Sequence, residues 1–85
     1  MSEKLEIFKK KLLYRASYRG TKEMDILLTS FVKNHIDKFD SNLLIELEKF
    51  LEFEDETILN FYNFDIKEQN IDKNMISQIF KKYKV

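Results

Sequence analysis

The sequence predicts an all-α fold, a compact bundle of about five short helices forming a single domain over residues 1–85. The chain has no proline and one glycine, whereas turn-rich β architectures need many residues of both kinds. Apolar residues recur at spacings of three and four along most of its length, which is the period of an amphipathic helix. With 44% hydrophobic residues, eight of them phenylalanine, the chain can form one core but is too short for a second.

Apolar residues on one face predict the first helix: Leu5, Phe8, Leu12 and Ala16. Ser2 is available as its N-cap. We expect this helix to end at Gly20, because the residue after a helix often needs a positive φ that glycine adopts without strain. Arg15 and Arg19 would then lie one turn apart in the last part of the helix, where cations are favoured.

The second helix is predicted to begin after Thr21 as its N-cap, with Glu23 and Asp25 in its first turn. Its apolar stripe is wide: Met24, Leu27, Leu28, Phe31, Val32, His35 and Ile36. The single histidine of the chain, His35, falls beside this stripe near the end of the helix. We interpret it as a helix residue rather than as a catalytic base.

The remaining helices follow from the same spacing rule. Asp40 or Ser41 is expected to cap a third helix, and Asp55 a short fourth helix. Residues 63–70 have the weakest pattern and predict a loop. A last helix is expected from Ile71 to Tyr83. The short connections favour antiparallel neighbours.

Several kinds of chemical site are disfavoured by composition. The absence of cysteine excludes disulfides, thiolate metal sites and a cysteine nucleophile. One histidine argues against a zinc site, and one glycine excludes a glycine-rich phosphate loop. The acidic run of residues 52–57 lacks the alternation of an EF-hand loop, so we interpret it as capping and solvated charge. The sequence therefore offers no convincing catalytic or metal site.

Charge is distributed unevenly along a chain whose net charge is zero. Residues 1–22 carry seven basic and two acidic side chains, residues 23–72 carry thirteen acidic and four basic ones, and residues 73–85 carry four lysines. The basic first segment could hold phosphates, but the acidic middle would repel the same polyanion. No apolar run approaches the ~20 residues of a membrane span, and no secretory signal is recognisable. We expect a soluble, intracellular protein that does not insert into a membrane. Nucleic-acid binding stays possible but has only weak support from this charge pattern, and our prediction is that the protein binds no nucleic acid.

Ionisable groups are concentrated in the stretch "YRGTKEMD", residues 18–25. Each residue has a local explanation, with Gly20 as a helix stop, Thr21 as a cap, and Glu23 and Asp25 as partners of the helix dipole. The same stretch would also present strong, directional hydrogen-bonding groups to a partner. Physical chemistry alone leaves both interpretations open.

The order R-G-x-x-E-x-D, formed here by Arg19, Gly20, Glu23 and Asp25, resembles the signature of the succinate dehydrogenase flavinylation factors, which are small helical assembly proteins. The resemblance extends over "LLYRASYRGTKEMDILLTSF" and "LEKFLEFEDETILNFY", so it covers residues 12–62. This chain departs from the family at residues 56 and 57, which are Glu-Thr where the family often has Pro-Asp. It also has Phe61 where a tryptophan is common.

The resemblance implies an activity by binding rather than by catalysis. Family members assist the covalent attachment of FAD to a histidine in the flavoprotein subunit of succinate dehydrogenase or fumarate reductase. The reactive histidine and the flavin belong to that partner, so this chain would be no enzyme and would bind no cofactor of its own. It would be monomeric when free, and located in the cytoplasm of a bacterium or in the mitochondrial matrix of a eukaryote.

The resemblance also assigns roles to residues. Arg19 and Glu23 would hydrogen-bond to the partner near the flavin-linking site, and Gly20 would let the backbone approach closely. The remaining partner-binding residues are Asp25, Glu54 and Asp55, with Arg15 ranked last. The alternative is a generic helical adaptor, or a nucleic-acid-associated regulator that uses the basic N-terminal helix.

Overall fold

A computed structural model describes residues 3–83, which form five α-helices, one 3-10 turn and no strand. The helices are α1 (Glu3–Ala16), α2 (Lys22–His35), α3 (Ser41–Phe50), α4 (Asp55–Phe64) and α5 (Met75–Lys81), with the 3-10 turn at Ile71–Lys73. The all-α class and the number of helices are thereby confirmed. Ser2, the expected N-cap of the first helix, lies outside the described residues.

Three of the helices have an N-cap residue whose side chain accepts hydrogen bonds from the first turn. Thr21, Asp40 and Asn74 cap α2, α3 and α5, each accepting hydrogen bonds from first-turn amides. The predictions for Thr21 and Asp40 are confirmed. The prediction that the last helix begins at Ile71 is wrong, because Asn74 has extended backbone (φ −81°, ψ 130°) and separates a 3-10 turn from α5.

The start of α4 also differs from the sequence prediction. Glu54 occupies the N-cap position without a side-chain capping bond, and Asp55 is the first helical residue. The carboxylate of Asp55 is instead bound by Arg19 and Gly20, 36 and 35 residues earlier in the chain. A long-range ion pair therefore replaces the local cap that the sequence predicts.

The end of α1 departs furthest from expectation. The helix ends at Ala16 rather than at Gly20, so Arg15 lies in its last turn and Arg19 beyond it. Tyr18 adopts the left-handed conformation, with φ at 57°, whereas Gly20 does not have a positive φ. The prediction of Gly20 as the left-handed helix stop is therefore wrong.

The core lies between α2, α3 and α5, where three phenylalanines meet. The ring of Phe80 lies 5.1 Å from that of Phe31 and 5.3 Å from that of Phe50, and all three side chains are fully buried. Leu12 and Ala16 place the last turns of α1 against this core. The end of α1 is thus fixed in position, and the segment that follows it can hold a defined shape.

Candidate partner-binding site

Arg19 binds three parts of the chain at once. Its Nε donates to Oδ1 of Asp55 at 2.7 Å. Its Nη1 donates to the backbone oxygens of Arg15 and Leu51 at 3.2 and 3.1 Å. Its Nη2 donates to the backbone oxygen of Phe53 at 3.0 Å. The side chain is only 13% exposed, so Arg19 joins the end of α1 to the end of α3 and the start of α4.

Asp55 binds both Arg19 and the residue after it. While Oδ1 accepts from the guanidinium, Oδ2 accepts from the backbone N–H of Gly20 at 3.0 Å. The carboxylate also lies in the first turn of α4, where the helix dipole favours negative charge. We call the four hydrogen bonds donated by the Arg19 guanidinium, one of which forms the ion pair with Asp55, the Arg19 clamp. It holds the loop of residues 17–21 against α4.

Gly20 is exposed, and nothing in the fold requires it to be a glycine. Its φ lies outside the left-handed region. A Cβ built on it would meet Oδ2 of Asp55 at 3.5 Å, which is an ordinary van der Waals distance. Neither backbone conformation nor internal crowding therefore explains this residue. Because Gly20 is exposed, its backbone is accessible to another molecule.

Tyr18 and Asp25 form a second set of contacts beside the clamp. The backbone N–H of Tyr18 donates to Oδ1 of Asp25 at 3.0 Å, and the hydroxyl of Thr29 donates to the same oxygen at 3.3 Å. Asp25 is thus used within the fold, where it holds the left-handed turn at Tyr18. The side chain of Tyr18 itself is 78% exposed.

Two of the predicted acidic residues face outward. Glu23 is in the first turn of α2, Glu54 directly precedes Asp55, and both are exposed. Neither carboxylate has a hydrogen bond or an ion pair with any residue in the described range 3–83. Arg15 also points outward, with its side chain 42% exposed and its Nη1 4.0 Å from Glu48. These three side chains keep their charges available to a partner.

The structure thus brings the seven predicted site residues to one corner, which we call the Gly20 corner: residues 19–25 with Arg15, Glu54 and Asp55. The sequence does not reveal that Tyr18 takes the left-handed conformation, or that backbone oxygens of Leu51 and Phe53 bind Arg19. Every residue has a backbone oxygen, so no sequence pattern could have identified these two acceptors. Tyr18 could have been noticed only from its place directly before the motif.

Two kinds of feature are absent from the part of the chain that the structure describes. No group of three or more histidine, aspartate or glutamate side chains there is placed to hold a metal ion. None of the helices within residues 3–83 has the length and apolar character needed to cross a membrane.

Comparison with known proteins gives the corner a context. A family model described as flavinator of succinate dehydrogenase matches residues 10–83. The chain is also similar to the mitochondrial succinate dehydrogenase assembly factor 2-B of Drosophila simulans, with 39% identity over 49 residues. That alignment covers 58% of this chain and 31% of the relative, so the chain matches about a third of the longer protein. No solved structure matches it. Because the family model spans nearly the whole chain, the protein belongs to the flavinator of succinate dehydrogenase family.

Proposed function

We propose that this protein binds the flavoprotein subunit of succinate dehydrogenase, or of a related fumarate reductase, and promotes the covalent attachment of FAD to it. The family description and the name of the relative support a role in flavin attachment and in assembly of the enzyme. The reactive histidine and the flavin are both supplied by the partner. The factor acts by binding, without chemistry of its own.

The observation that carries the proposal is the surface at Gly20. This residue is exposed, has no positive φ and has room for a Cβ, so the fold alone does not explain it. A partner that approaches within backbone contact distance does explain it, because a side chain would hold that partner away. Glu23 follows Gly20 by three residues and Glu54 directly precedes Asp55, and both are exposed carboxylates without a partner among residues 3–83.

The geometry changes the role that we assign to Arg19. A guanidinium has five N–H groups, and four hydrogen bonds within the fold use most of them. Arg19 and Asp55 are therefore positioning residues, which hold Gly20 against the start of α4. Direct contacts to the partner come from Glu23, Glu54 and the backbone at Gly20, with Arg15 at the edge.

The factor promotes flavin attachment by shifting a conformational equilibrium. It binds preferentially the flavoprotein conformer in which FAD is loaded and the linking histidine is correctly placed, so that conformer becomes more populated. A preference of ~1.4 kcal/mol raises the population ratio about tenfold. The Arg19 clamp contributes by fixing the corner before binding, which lowers the entropy lost on association.

A reconstitution assay tests this function. The purified flavoprotein subunit is incubated with FAD, with or without the factor, and covalent flavin is read as fluorescence in a denaturing gel. We expect a faster rate or a higher yield with the factor, and a complex on gel filtration. If neither appears, the proposed function is wrong.

A matched pair of variants tests the site. Glu23 and Glu56 are both exposed glutamates in the first turn of a helix, α2 and α4 respectively. Glu23→Gln should reduce covalent flavin formation at least tenfold, because it removes a charge-assisted contact to the partner. Glu56→Gln should retain the wild-type rate. Equal rates for the two variants would remove Glu23 from the site.

A further inference from the structure

The outward face of α1 carries apolar side chains where a surface helix normally carries polar ones. Ile7 and Tyr14 are 48% and 67% exposed and lie seven residues apart, on the side of α1 opposite the buried Leu12 and Ala16. Tyr18, 78% exposed, continues this line just after the helix, with its ring 5.1 Å from that of Tyr14. We call Ile7, Tyr14 and Tyr18 the tyrosine stripe.

Positive charges border the stripe. Ile7, Tyr14, Lys10, Lys11 and Arg15 line a shallow groove of about 370 Å³. Within the described residues, Lys10 and Lys11 have no ion-pair partner. Arg15 has only the 4.0 Å approach to Glu48. The chemistry that complements this face is an apolar segment bordered by aspartate or glutamate.

Tyr18 provides an independent reason to regard the stripe as functional. A non-glycine residue in the left-handed region costs of order 1 kcal/mol, which a glycine would not incur. The side chain is mostly exposed, and its ring contact within residues 3–83 is with Tyr14. Glycine would suit the backbone better, so the fold does not account for a tyrosine here. A tyrosine is what a protein interface favours, since it offers a large apolar ring with a polar tip.

The stripe is also continuous with the Gly20 corner. Tyr18 directly precedes Arg19 and Gly20, and its backbone is tied to Asp25 in α2. A partner that contacts Gly20 closely can therefore also reach Tyr18 and, beside it, Tyr14. One protein is enough to occupy both surfaces.

We infer that the tyrosine stripe is a second docking surface for the flavoprotein subunit, occupied by an apolar segment of that subunit with an acidic border. The inference rests on the proposed function for the identity of the partner. The two surfaces have separate tasks: the stripe supplies affinity, and the Gly20 corner selects the conformer that attaches FAD. An apolar centre flanked by cations suits an apolar protein segment with acidic borders better than nucleic acid, whose phosphates need converging cations rather than an apolar strip.

The test measures binding and flavin attachment separately. The dissociation constant for the flavoprotein is obtained by titration, and the covalent flavin rate is measured at limiting and at saturating factor. Tyr14→Ser and Ile7→Ser should each raise the dissociation constant about fivefold to tenfold, while the rate at saturation stays within twofold of wild type. Ile45, 47% exposed on α3, matches Ile7 in exposure. Ile45→Ser should leave both quantities unchanged.

Tyr18→Gly separates a structural role from a docking role. If the tyrosine is retained for docking, this variant should unfold no more readily than wild type in urea, because it relieves the left-handed strain. Its dissociation constant for the flavoprotein should rise about tenfold. A Tyr18→Gly protein that binds as wild type overturns the proposal, and so does wild-type binding by Tyr14→Ser.

The remaining outcomes distinguish the occupants. Self-association of the free factor that Ile7→Ser abolishes would assign the stripe to a second copy. Tight, steeply salt-dependent binding of a single-stranded oligonucleotide that Tyr14→Ser abolishes would assign it to nucleic acid. Either result overturns the inference.

If Tyr14→Ser weakens the flavoprotein complex but the wild-type factor has no effect on flavin attachment, the docking surface stands and the proposed function fails. If no complex forms with the flavoprotein, both fail.

Discussion

Arg19 and Glu23 lie four residues apart, yet Arg19 donates four hydrogen bonds to the fold whereas Glu23 bonds to none of the residues that the structure describes. The guanidinium is 13% exposed and lies between the ends of α1 and α3 and the start of α4. The carboxylate of Glu23 is exposed to solvent in the first turn of α2. Two charged residues of one short motif thus have opposite surroundings.

This difference separates the tasks within the Gly20 corner. Arg19, Asp55 and Asp25 face inward and fix the shape of the loop. Glu23, Glu54 and the surface of Gly20 face outward and are free to meet a partner. Substitution of the first set should act through stability, and substitution of the second set through binding.

The largest loss of stability is expected for Arg19→Leu. The change leaves the Asp55 carboxylate without its cation and several backbone oxygens without their donor. We expect the free energy of unfolding to fall by about 2–3 kcal/mol, as measured by urea denaturation. Arg15→Leu is the matched control, since its exposed 4.0 Å pair with Glu48 contributes at most about 0.5 kcal/mol. Equal losses for the two variants would show that the hydrogen bonds of Arg19 contribute no more to stability than the exposed side chain of Arg15.

Asp55→Asn should have the next largest effect. The amide retains one acceptor oxygen but loses the charge that pairs with Arg19 and the second acceptor that binds Gly20. The expected loss in free energy of unfolding is about 1–2 kcal/mol. Its neighbour Glu54 provides the control, and Glu54→Gln should stay within about 0.5 kcal/mol of wild type. A larger loss for Glu54→Gln than for Asp55→Asn would reverse the assignment of inward and outward acids.

Thr21→Ala should cost about 1 kcal/mol, because the amide of Met24 loses its side-chain cap at the start of α2. The same denaturation experiment measures this loss. Thr21→Ser keeps the hydroxyl and should restore most of the stability. Failure of serine to do so would show that the threonine contributes through packing rather than through capping.

The smallest expected effect is at the other end of α4. A hydrogen bond from Lys81, with a further one from Lys67, lowers the pKa of Asp65. Because the folded pKa lies below the ordinary value of 3.8, the carboxylate stabilises the fold at pH above that value. The contribution is lost as pH falls through the folded pKa. Asp65→Asn should therefore slightly reduce stability at pH 7. It should leave stability unchanged at a pH below the folded pKa of Asp65, and thermal melts between these two pH values would show the difference. A loss that is independent of pH would exclude this origin.

The sequence predicts the elements of this fold well because their signals are local. Apolar spacing identifies five helices, and side-chain oxygens at Thr21 and Asp40 identify two of the caps. Asn74 has the same chemistry, but the apolar Ile71 before it extends the helical pattern and conceals the break. The density of ionisable groups at residues 18–25 indicates a candidate interaction site, and the resemblance to a known family adds Glu54 and Asp55 to it.

The orientation of side chains in that corner could not be predicted. The acceptors of Arg19 at Leu51 and Phe53 lie 32 and 34 residues away and are backbone oxygens, which every residue possesses. The left-handed turn falls on Tyr18 because Asp25 holds its amide from the next helix. The helix-stop prediction for Gly20, two residues later, is therefore wrong, whereas its place at the centre of the partner-binding site stays a prediction.

Gly20→Ala shows directly whether the glycine at position 20 serves a partner rather than the fold. Because alanine fits at this φ and meets only an ordinary contact at 3.5 Å, its smaller chain entropy should raise the free energy of unfolding by about 0.4–1 kcal/mol. The same preparation should promote covalent flavin attachment at least tenfold more weakly than wild type. A variant that is stabilised but inactive would support a partner-binding role for Gly20. A variant that is destabilised, or one that retains full activity, would contradict that role.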